Sequence, residues 1–401
     1  MSAPVQYPPY TNGNPLARSR TPHAPSGIGL RAEYQPHLLA SWRLIQMNET
    51  RTSIALVLAA DDAYARPMAV AIFSALQHLR PGWGVHLYLI DGGIQPHNKE
   101  RIEQVVSMHP VPSRVHWRSV PADELCRLPL VKLHPGFSKG ALLRLWIPDL
   151  LPGDCRKAIY LDSDVLVRGD LVRLWQWSLA TTSLCAVRDY WIPFVSSPNG
   201  LSYYEEVGID PFAPYFNSGV MLLNLQRWRS TDVHSRAMEH LGRFAGRLCH
   251  NDQEGLNAVL ADDWEALPAT WNVQHDCRFK RWDKESRAWP DCAFKRMLRA
   301  TRSELLSNYD VLHFTGSRKP WVMDGTHPAS AEWFRFFWES GWCTPAERIA
   351  SQTRFAVTHL TTRVRNATRP ARHRLALHLP PALQCLMRKG EQPASDKISS
   401  S

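Results

Sequence analysis

The sequence predicts an α/β protein with a mostly parallel, Rossmann-like central sheet flanked by helices. Three observations carry that expectation. From Ser53 onward, apolar runs of strand type alternate with segments of helical character. One run, AIYLDSDVLV, leads straight into two carboxylates, as suits a strand whose carboxyl end opens on a ligand crevice. No internal repeat interrupts this order.

The elements follow in sequence. SIALVLAA reads as a strand and is followed by a helix over Arg66 to Leu79, the strand VHLYLID, a helix over His97 to Met108, and the strand RVHWRSV. A helical stretch from Ser138 to Leu151 leads into AIYLDSDVLV, then LCAVRDY, then a loop over Trp191 to Pro214 rich in Ser, Pro, Tyr and Gly. A loop this long inside a compact domain is usually functional or mobile. The strand VMLLNL, a helix over Thr231 to Leu248, a short helix over Asp252 to Leu260 and the strand DVLHFTG complete the pattern. Residues 1–50 are of low hydrophobicity and are expected to be largely disordered, with a short helical possibility at Leu38 to Met47. The main folded domain is expected over 51–343 and a basic tail over 344–401, the tail fitting two short amphipathic helices broken near Pro370 and Pro380.

The 401 residues carry 47 Lys+Arg against 37 Asp+Glu, a formal charge of +10 that invites a nucleic-acid reading. Its distribution argues against one. Residues 51–350 hold 34 basic and 33 acidic side chains, whereas 351–401 hold nine and two. A folded nucleic-acid binder needs its basic stripe on the body, so no nucleic-acid partner is expected. For the tail, contact with an anionic membrane surface and a solvated segment both remain open. Sixteen tryptophans, six of them among Trp282, Trp289, Trp321, Trp333, Trp338 and Trp342, read mostly as core packing. The eight cysteines form no CxxC pair and read as reduced thiols. With no signal-peptide stretch and no apolar run long enough to span a bilayer, the expected location is cytoplasmic.

Asp162 and Asp164, two apart at a strand's end, can converge on one hard cation, Mg²⁺ or Mn²⁺, with substrate phosphate completing its shell. Taken alone, the pair also fits a solvated turn. Downstream, His313 could supply an imidazole ligand, Gly316 a close backbone approach to phosphate, and Lys319 a point charge for a diphosphate. An isolated histidine there is more often an interior one.

Together and in order, AADDAY, LLRLWIPDLLP, IYLDSDVLV, FNSGVMLLNL, DQEGLN and HFTGSRKPW resemble the family 8 glycosyltransferases over about Ser53 to Trp321. The resemblance implies a GT-A fold and a retaining hexosyltransferase that uses a UDP-sugar donor with Mn²⁺. It makes Asp162, Asp164 and His313 the metal ligands. It gives Ala59 and Asp61 hydrogen bonds to uracil, Tyr64 a stacking role, and Arg144 a reach to nucleotide and sugar. Gly316 and Lys319 would contact the diphosphate. Asp189, Asn217, Asp252 and Gln253 would bind the sugar, with Gln253 facing the anomeric carbon. An amide is a poor nucleophile, so a front-face route is expected, in which the departing UDP takes the acceptor proton.

Without the family, Asp61 or Asp62 reads as a helix N-cap, Arg144 as a surface charge, Asp252 as a helix-opening acid and Asn217 as a turn residue. Three positions depart from the family pattern: Ala63 removes a possible ribose contact, and Lys139 and Gly140 stand where an arginine and an alanine are usual. Those departures leave galactose versus glucose open. The expected acceptor is lipopolysaccharide core or a related surface glycan, lipid-linked at the inner membrane face. Alternatives are a protein or soluble-glycan acceptor, or a non-catalytic UDP-sugar-binding scaffold.

Overall fold

The structure, a computed structural model, describes residues 52–126, 139–179, 181–275, 293–316, 318–322 and 327–377. The expected disordered extension, the helical possibility at Leu38 to Met47, Trp282, Trp289 and Pro380 lie outside them.

The strands are β1 (Ser53–Ala60), β2 (Gly84–Asp91), β3 (Ser113–Arg118), β4 (Lys157–Leu161), β5 (Val165–Val167), β6 (Leu184–Arg188), β7 (Phe216–Asn224), β8 (Trp264–Ala266), β9 (Val273–Gln274) and β10 (Val311–His313). Seven of them form one sheet in the order β3-β2-β1-β4-β7-β6-β8. β1 runs parallel to β2 and β4, β2 to β3, and β6 to β8, while β7 is antiparallel to both neighbours. The mostly parallel helix-covered sheet expected from the sequence is therefore present. Successive side chains of a strand point to opposite faces, and β1 uses both. Ile54, Leu56 and Leu58 enter one core, Ala55, Val57 and Ala59 the other. Each fully buried Val, Leu or Ile side chain contributes about 1.5–3 kcal/mol, which is why the strand is apolar from Ile54 to Ala60.

The longer helices are α1 (Ala65–Gln77), α2 (Pro96–Ser107), α3 (Val233–Arg243), α4 (Asn251–Val259), α5 (Ala293–Ser307), α6 (Ser330–Glu339) and α7 (Pro345–Leu377). The stretch expected as a helix over Ser138 to Leu151 is instead a 3₁₀ segment over Lys139–Trp146 followed by one α turn, Ile147–Leu150. The tail also differs from expectation. α7 is continuous through Pro370. The aromatic ring of Phe355 in α7 packs on Phe334 and Trp338, while Ile349, Val357 and Leu360 stay exposed. No helix among the described residues is long and apolar enough to cross a membrane.

One expected strand is split, and the split positions the site. AIYLDSDVLV supplies β4 to the large sheet, turns at Asp162 to Asp164, and supplies β5 to a three-stranded sheet ordered β5-β10-β9. Antiparallel pairing of β5 with β10 sets Val165 opposite His313. The turn is thus fixed at the junction of two sheets.

The long Trp191–Pro214 loop is packed, with Ile192, Val195, Leu201 and Tyr203 buried. Tyr203 stacks on Phe244 with ring centroids 3.9 Å apart and donates to buried Glu254 at 2.8 Å. Glu254 also accepts from the backbone N–H groups of Cys249 and His250, tying the loop to the start of α4. With the tyrosine proton committed to Glu254, His240 Nε2 donates to the Tyr203 oxygen at 3.1 Å. Burial lowers His240 from 6.5 to about 4. Between those values the unfolded chain binds the extra proton, so this contribution to stability is complete above pH 6.5 and is lost as pH falls toward 4. Urea denaturation of His240→Gln across that window is expected to show a shallower decline than the parent.

Candidate active site

Three ligand atoms meet at the sheet junction. Asp162, Asp164 and His313 each present one within 4.8 Å of the others. His313 Nε2 lies 3.5 Å from Asp162 Oδ2 and 3.3 Å from Asp164 Oδ1. Backbone bonds hold the turn: Asp162 N–H donates to Gly219 at 2.8 Å and Phe314 N–H to Asp164 at 3.0 Å. Ser163 Oγ donates to the Ala59 carbonyl at 2.9 Å, joining the carboxyl ends of β4 and β1.

Each carboxylate has one oxygen held and the other turned inward. Asp162 Oδ1 takes the Tyr160 hydroxyl at 2.7 Å and Arg144 Nη2 at 2.8 Å, leaving Oδ2 toward His313. Asp164 Oδ2 takes Lys319 Nζ at 2.6 Å, leaving Oδ1 toward His313. Burial opposes ionisation of Asp164, but Lys319 and His313 outweigh it and hold the carboxyl well below its usual range. Lys319 is likewise raised, its burial outweighed mainly by Asp164. Two carboxylate oxygens and an imidazole nitrogen facing one point fit a divalent cation of the Mg²⁺ or Mn²⁺ type.

The floor of this cluster is Gly219. A Cβ there would lie 2.2 Å from His313 Cε1, 2.7 Å from its Nδ1 and 2.8 Å from Asp162 Oδ2. Gly219, Tyr160, Ser218 and Asn272 all contact site residues, and the sequence reading assigned none of them. Gly219 sat inside the quoted FNSG, where the preference for glycine comes from a contact far away in the chain.

Arg144, expected to reach nucleotide and sugar, is bonded within the protein through Nε, Nη1 and Nη2. Its guanidinium pairs with Asp162 and, through Nε at 3.0 Å, with Asp252; Nη1 donates to the Ser218 carbonyl and hydroxyl at 2.9 Å each. It also lies over the Tyr160 ring, 4.8 Å from the centroid. Burial works against its charge, yet Asp162 and Asp252 raise it further. Asp252 shows the opposite balance: burial pushes it up to about 6 despite the neighbouring arginine. Removing one partner of a buried ion pair costs about 3–5 kcal/mol. Arg144→Met, which strands two carboxylates, should therefore lower unfolding free energy by roughly that amount, measured by urea titration at pH 7.5.

The expected sugar-side residues form one hydrogen-bonded group. Asp189 Oδ1 accepts from the N–H groups of Trp191 and Ile192 at 2.7 and 2.9 Å. Its Oδ2 accepts from Asn217 Nδ2 at 3.0 Å and Gln253 Nε2 at 3.1 Å. Gln253 Oε1 in turn takes the Ser218 N–H at 3.1 Å. Both amides therefore have determined orientations.

At the other edge, Asp61 caps the 3₁₀ turn Asp62–Tyr64, accepting from the Tyr64 N–H at 3.2 Å. Asp62 accepts from Gln95 N–H and Asn98 Nδ2, both at 2.8 Å. Tyr64 meets Trp321 edge-on at 5.8 Å, and burial pushes its phenol up to about 12, with Lys319, Asp164 and Asp162 near enough to act on it. Ala59 is buried near the end of β1, and Gly316 is buried three residues beyond β10. Lys139 and Gly140 open the 3₁₀ segment that carries Arg144.

The family model "Glycosyl transferase family 8" matches residues 55–325, well over half the chain. General stress protein A of Bacillus subtilis (strain 168) is 29% identical over 292 residues, which cover 72% of this chain and 94% of that protein. The lipopolysaccharide 1,2-glucosyltransferase of Escherichia coli (strain K12) is 26% identical over 216 residues, 54% of this chain and 58% of that protein. Among solved structures, the galactosyltransferase LgtC in complex with donor and acceptor sugar analogues superposes with a TM-score of 0.57 at 24% identity, covering 71% of this chain and 95% of that one. That likeness establishes the fold, that of GT-A glycosyltransferases. With the matched span enclosing the Asp162, Asp164 and His313 cluster and every strand of both sheets except the first two residues of β1, the chain belongs to glycosyl transferase family 8.

Proposed function

We propose that the protein moves a hexose, galactose or glucose, from a UDP-sugar to a glycan acceptor with retention of anomeric configuration, using Mn²⁺. The observation that carries this reading is the convergence of Asp162 Oδ2, Asp164 Oδ1 and His313 Nε2 beside the Lys319 ammonium. Asp162, Asp164 and His313 would hold the ion, which when bound supplies positive charge to the diphosphate oxygens of the leaving group. Lys319 adds a second cation at the same edge, and the carboxyl end of a parallel sheet is the usual nucleotide crevice. The uracil is assigned to Ala59, Asp61 and Tyr64, and the diphosphate to Gly316 and Lys319.

Asp189, Asn217, Asp252 and Gln253 would bind the sugar, with Arg144 serving nucleotide and sugar, and Asp189 Oδ2 and the Ser218 N–H hold the Gln253 amide that would face the anomeric carbon. Gln253 acts there as an electrostatic helper. The C1–O bond to phosphate breaks, the acceptor oxygen bonds C1 on the same face, and its proton passes to the departing UDP. The acceptor is lipopolysaccharide core or a related glycan, a reading supported by the name of the Escherichia coli relative. The basic helix α7, with exposed Ile349, Val357 and Leu360 among arginines, would rest on an anionic cytoplasmic membrane face.

UDP release from UDP-galactose and UDP-glucose, with and without Mn²⁺, tests the donor assignment. Turnover of one donor only with Mn²⁺ is expected; consumption of neither with any glycan acceptor would overturn it. Removing 345–401 is expected to lower transfer to a lipid-anchored acceptor at least about tenfold while sparing its soluble glycan, because each basic residue near lipid contributes about 1 kcal/mol. Equal loss on both acceptors would contradict the membrane role.

A further inference from the structure

We infer that Asn272 is a positioning residue that fixes the tautomer of His313 and so aims its Nε2 at the cation. The inference rests on the metal reading above and concerns a side chain outside the site's expected residues.

Asn272 closes the 3₁₀ turn Ala269–Asn272 just before β9, and it is fully buried. Its Oδ1 lies 3.1 Å from His313 Nδ1. An amide can be turned either way, so what matters is whether its orientation is determined. A chain of bonds determines it. Asp189 is a carboxylate and can only accept, so Asn217, 3.0 Å away, must present Nδ2 to it. Asn217 Oδ1 is then an acceptor, and it takes both the Gly219 N–H at 3.1 Å and Asn272 Nδ2 at 2.9 Å. Asn272 is left with Oδ1 toward the imidazole. Facing a carbonyl oxygen, His313 Nδ1 must carry a proton, and Nε2 is the nitrogen turned to Asp162 and Asp164.

A cation ligand needs a lone pair at Nε2 and a second partner that holds the ring, and outer partners of metal-bound histidines act in this way. The arrangement therefore links Asp189, on the sugar side, to the cation through two amides and one imidazole. It also accounts for two buried asparagines side by side where apolar residues would pack at lower desolvation cost.

Mn²⁺ binding, followed by the EPR signal of free Mn²⁺ in the presence of UDP, tests the inference without turnover. Asn272→Leu, of similar size but with no acceptor, is expected to weaken Mn²⁺ at least about tenfold, within the range typical of outer-shell partners. Asn272→Asp keeps an acceptor for Nδ1–H, the role carboxylates fill at metal-bound histidines, but turns its other oxygen to Asn217 Oδ1 in place of a donor, so it is expected to lose affinity while binding Mn²⁺ at least about threefold more tightly than Asn272→Leu. Equal loss in both variants would indicate a merely structural role and overturn the inference, as would unchanged affinity in Asn272→Leu. Should Asn272→Leu fail to fold, ¹⁵N chemical shifts of the wild-type histidines, assigned with His313→Gln, decide the question. Protonation at Nδ1 supports the inference, and a ring protonated at Nε2 alone overturns it. Absence of Mn²⁺ binding in the wild type, with UDP present, would remove the metal reading itself and this inference with it.

Discussion

Asp164→Asn should reduce UDP release by at least about 10³-fold, because the several kcal/mol of charge stabilisation a cation supplies correspond to that order in rate. The substitution keeps the shape of the side chain while removing the charge that Lys319 Nζ approaches to 2.6 Å and the oxygen that lies 3.3 Å from His313 Nε2. Lys319 would lose its only ion-pair partner among the described residues while keeping the Phe314 carbonyl at 2.6 Å. Near-UV circular dichroism should remain that of the parent, since the Phe314 N–H bond is to the backbone of Asp164 and survives the change. Turnover within about tenfold of wild type would show that this carboxylate is not where the leaving group's charge is met.

Gly219→Ala should remove Mn²⁺ binding almost as completely, although it deletes no ligand. The added methyl would come to 2.2 Å from the imidazole and 2.8 Å from Asp162 Oδ2, far inside van der Waals contact. Neither side can yield readily. β7 is paired on both edges, with β4 and β6, and His313 is held on β10 between β5 and β9. The ring must therefore swing from its place, and an affinity loss of about 100-fold is expected, the upper end for disturbing a ligand's orientation. Overpacking costs about 1–3 kcal/mol, so the variant should still fold. Unchanged Mn²⁺ affinity, measured calorimetrically, would mean that the cation does not use His313 and Asp162 together.

How much of this was legible in the sequence varies from element to element. Strands β1 and β4 and the Val220–Leu223 stretch of β7 are continuous apolar runs because both faces are covered, and such runs declare themselves. Local pattern could not show that AIYLDSDVLV changes sheets at its aspartates, since β5 is as buried as β4 and the division comes from pairing with β10. The 3₁₀ conformation of Lys139–Trp146 was likewise hidden, because its apolar spacing also suits an α-helix. Pro370 misled in the other direction: a helix interior was expected to break there and α7 does not.

That Asp162, Asp164 and His313 could share one site was readable because they are chemically conspicuous at strand ends. Its supports were not. Gly219 and Asn272 act through contacts across the fold, 94 and 41 residues from His313, and neither residue type is unusual in a loop or strand end. Arg144 was noticed for its charge, but only the structure shows that charge divided between Asp162 and Asp252.

The most direct test of the central claim is an anomalous difference map from crystals grown with Mn²⁺ and UDP. One Mn²⁺ peak bounded by Asp162, Asp164 and His313 is expected, with the diphosphate reaching it and Lys319 alongside. A diphosphate bound with no Mn²⁺ peak at these three side chains, or a peak held by other residues, would contradict it.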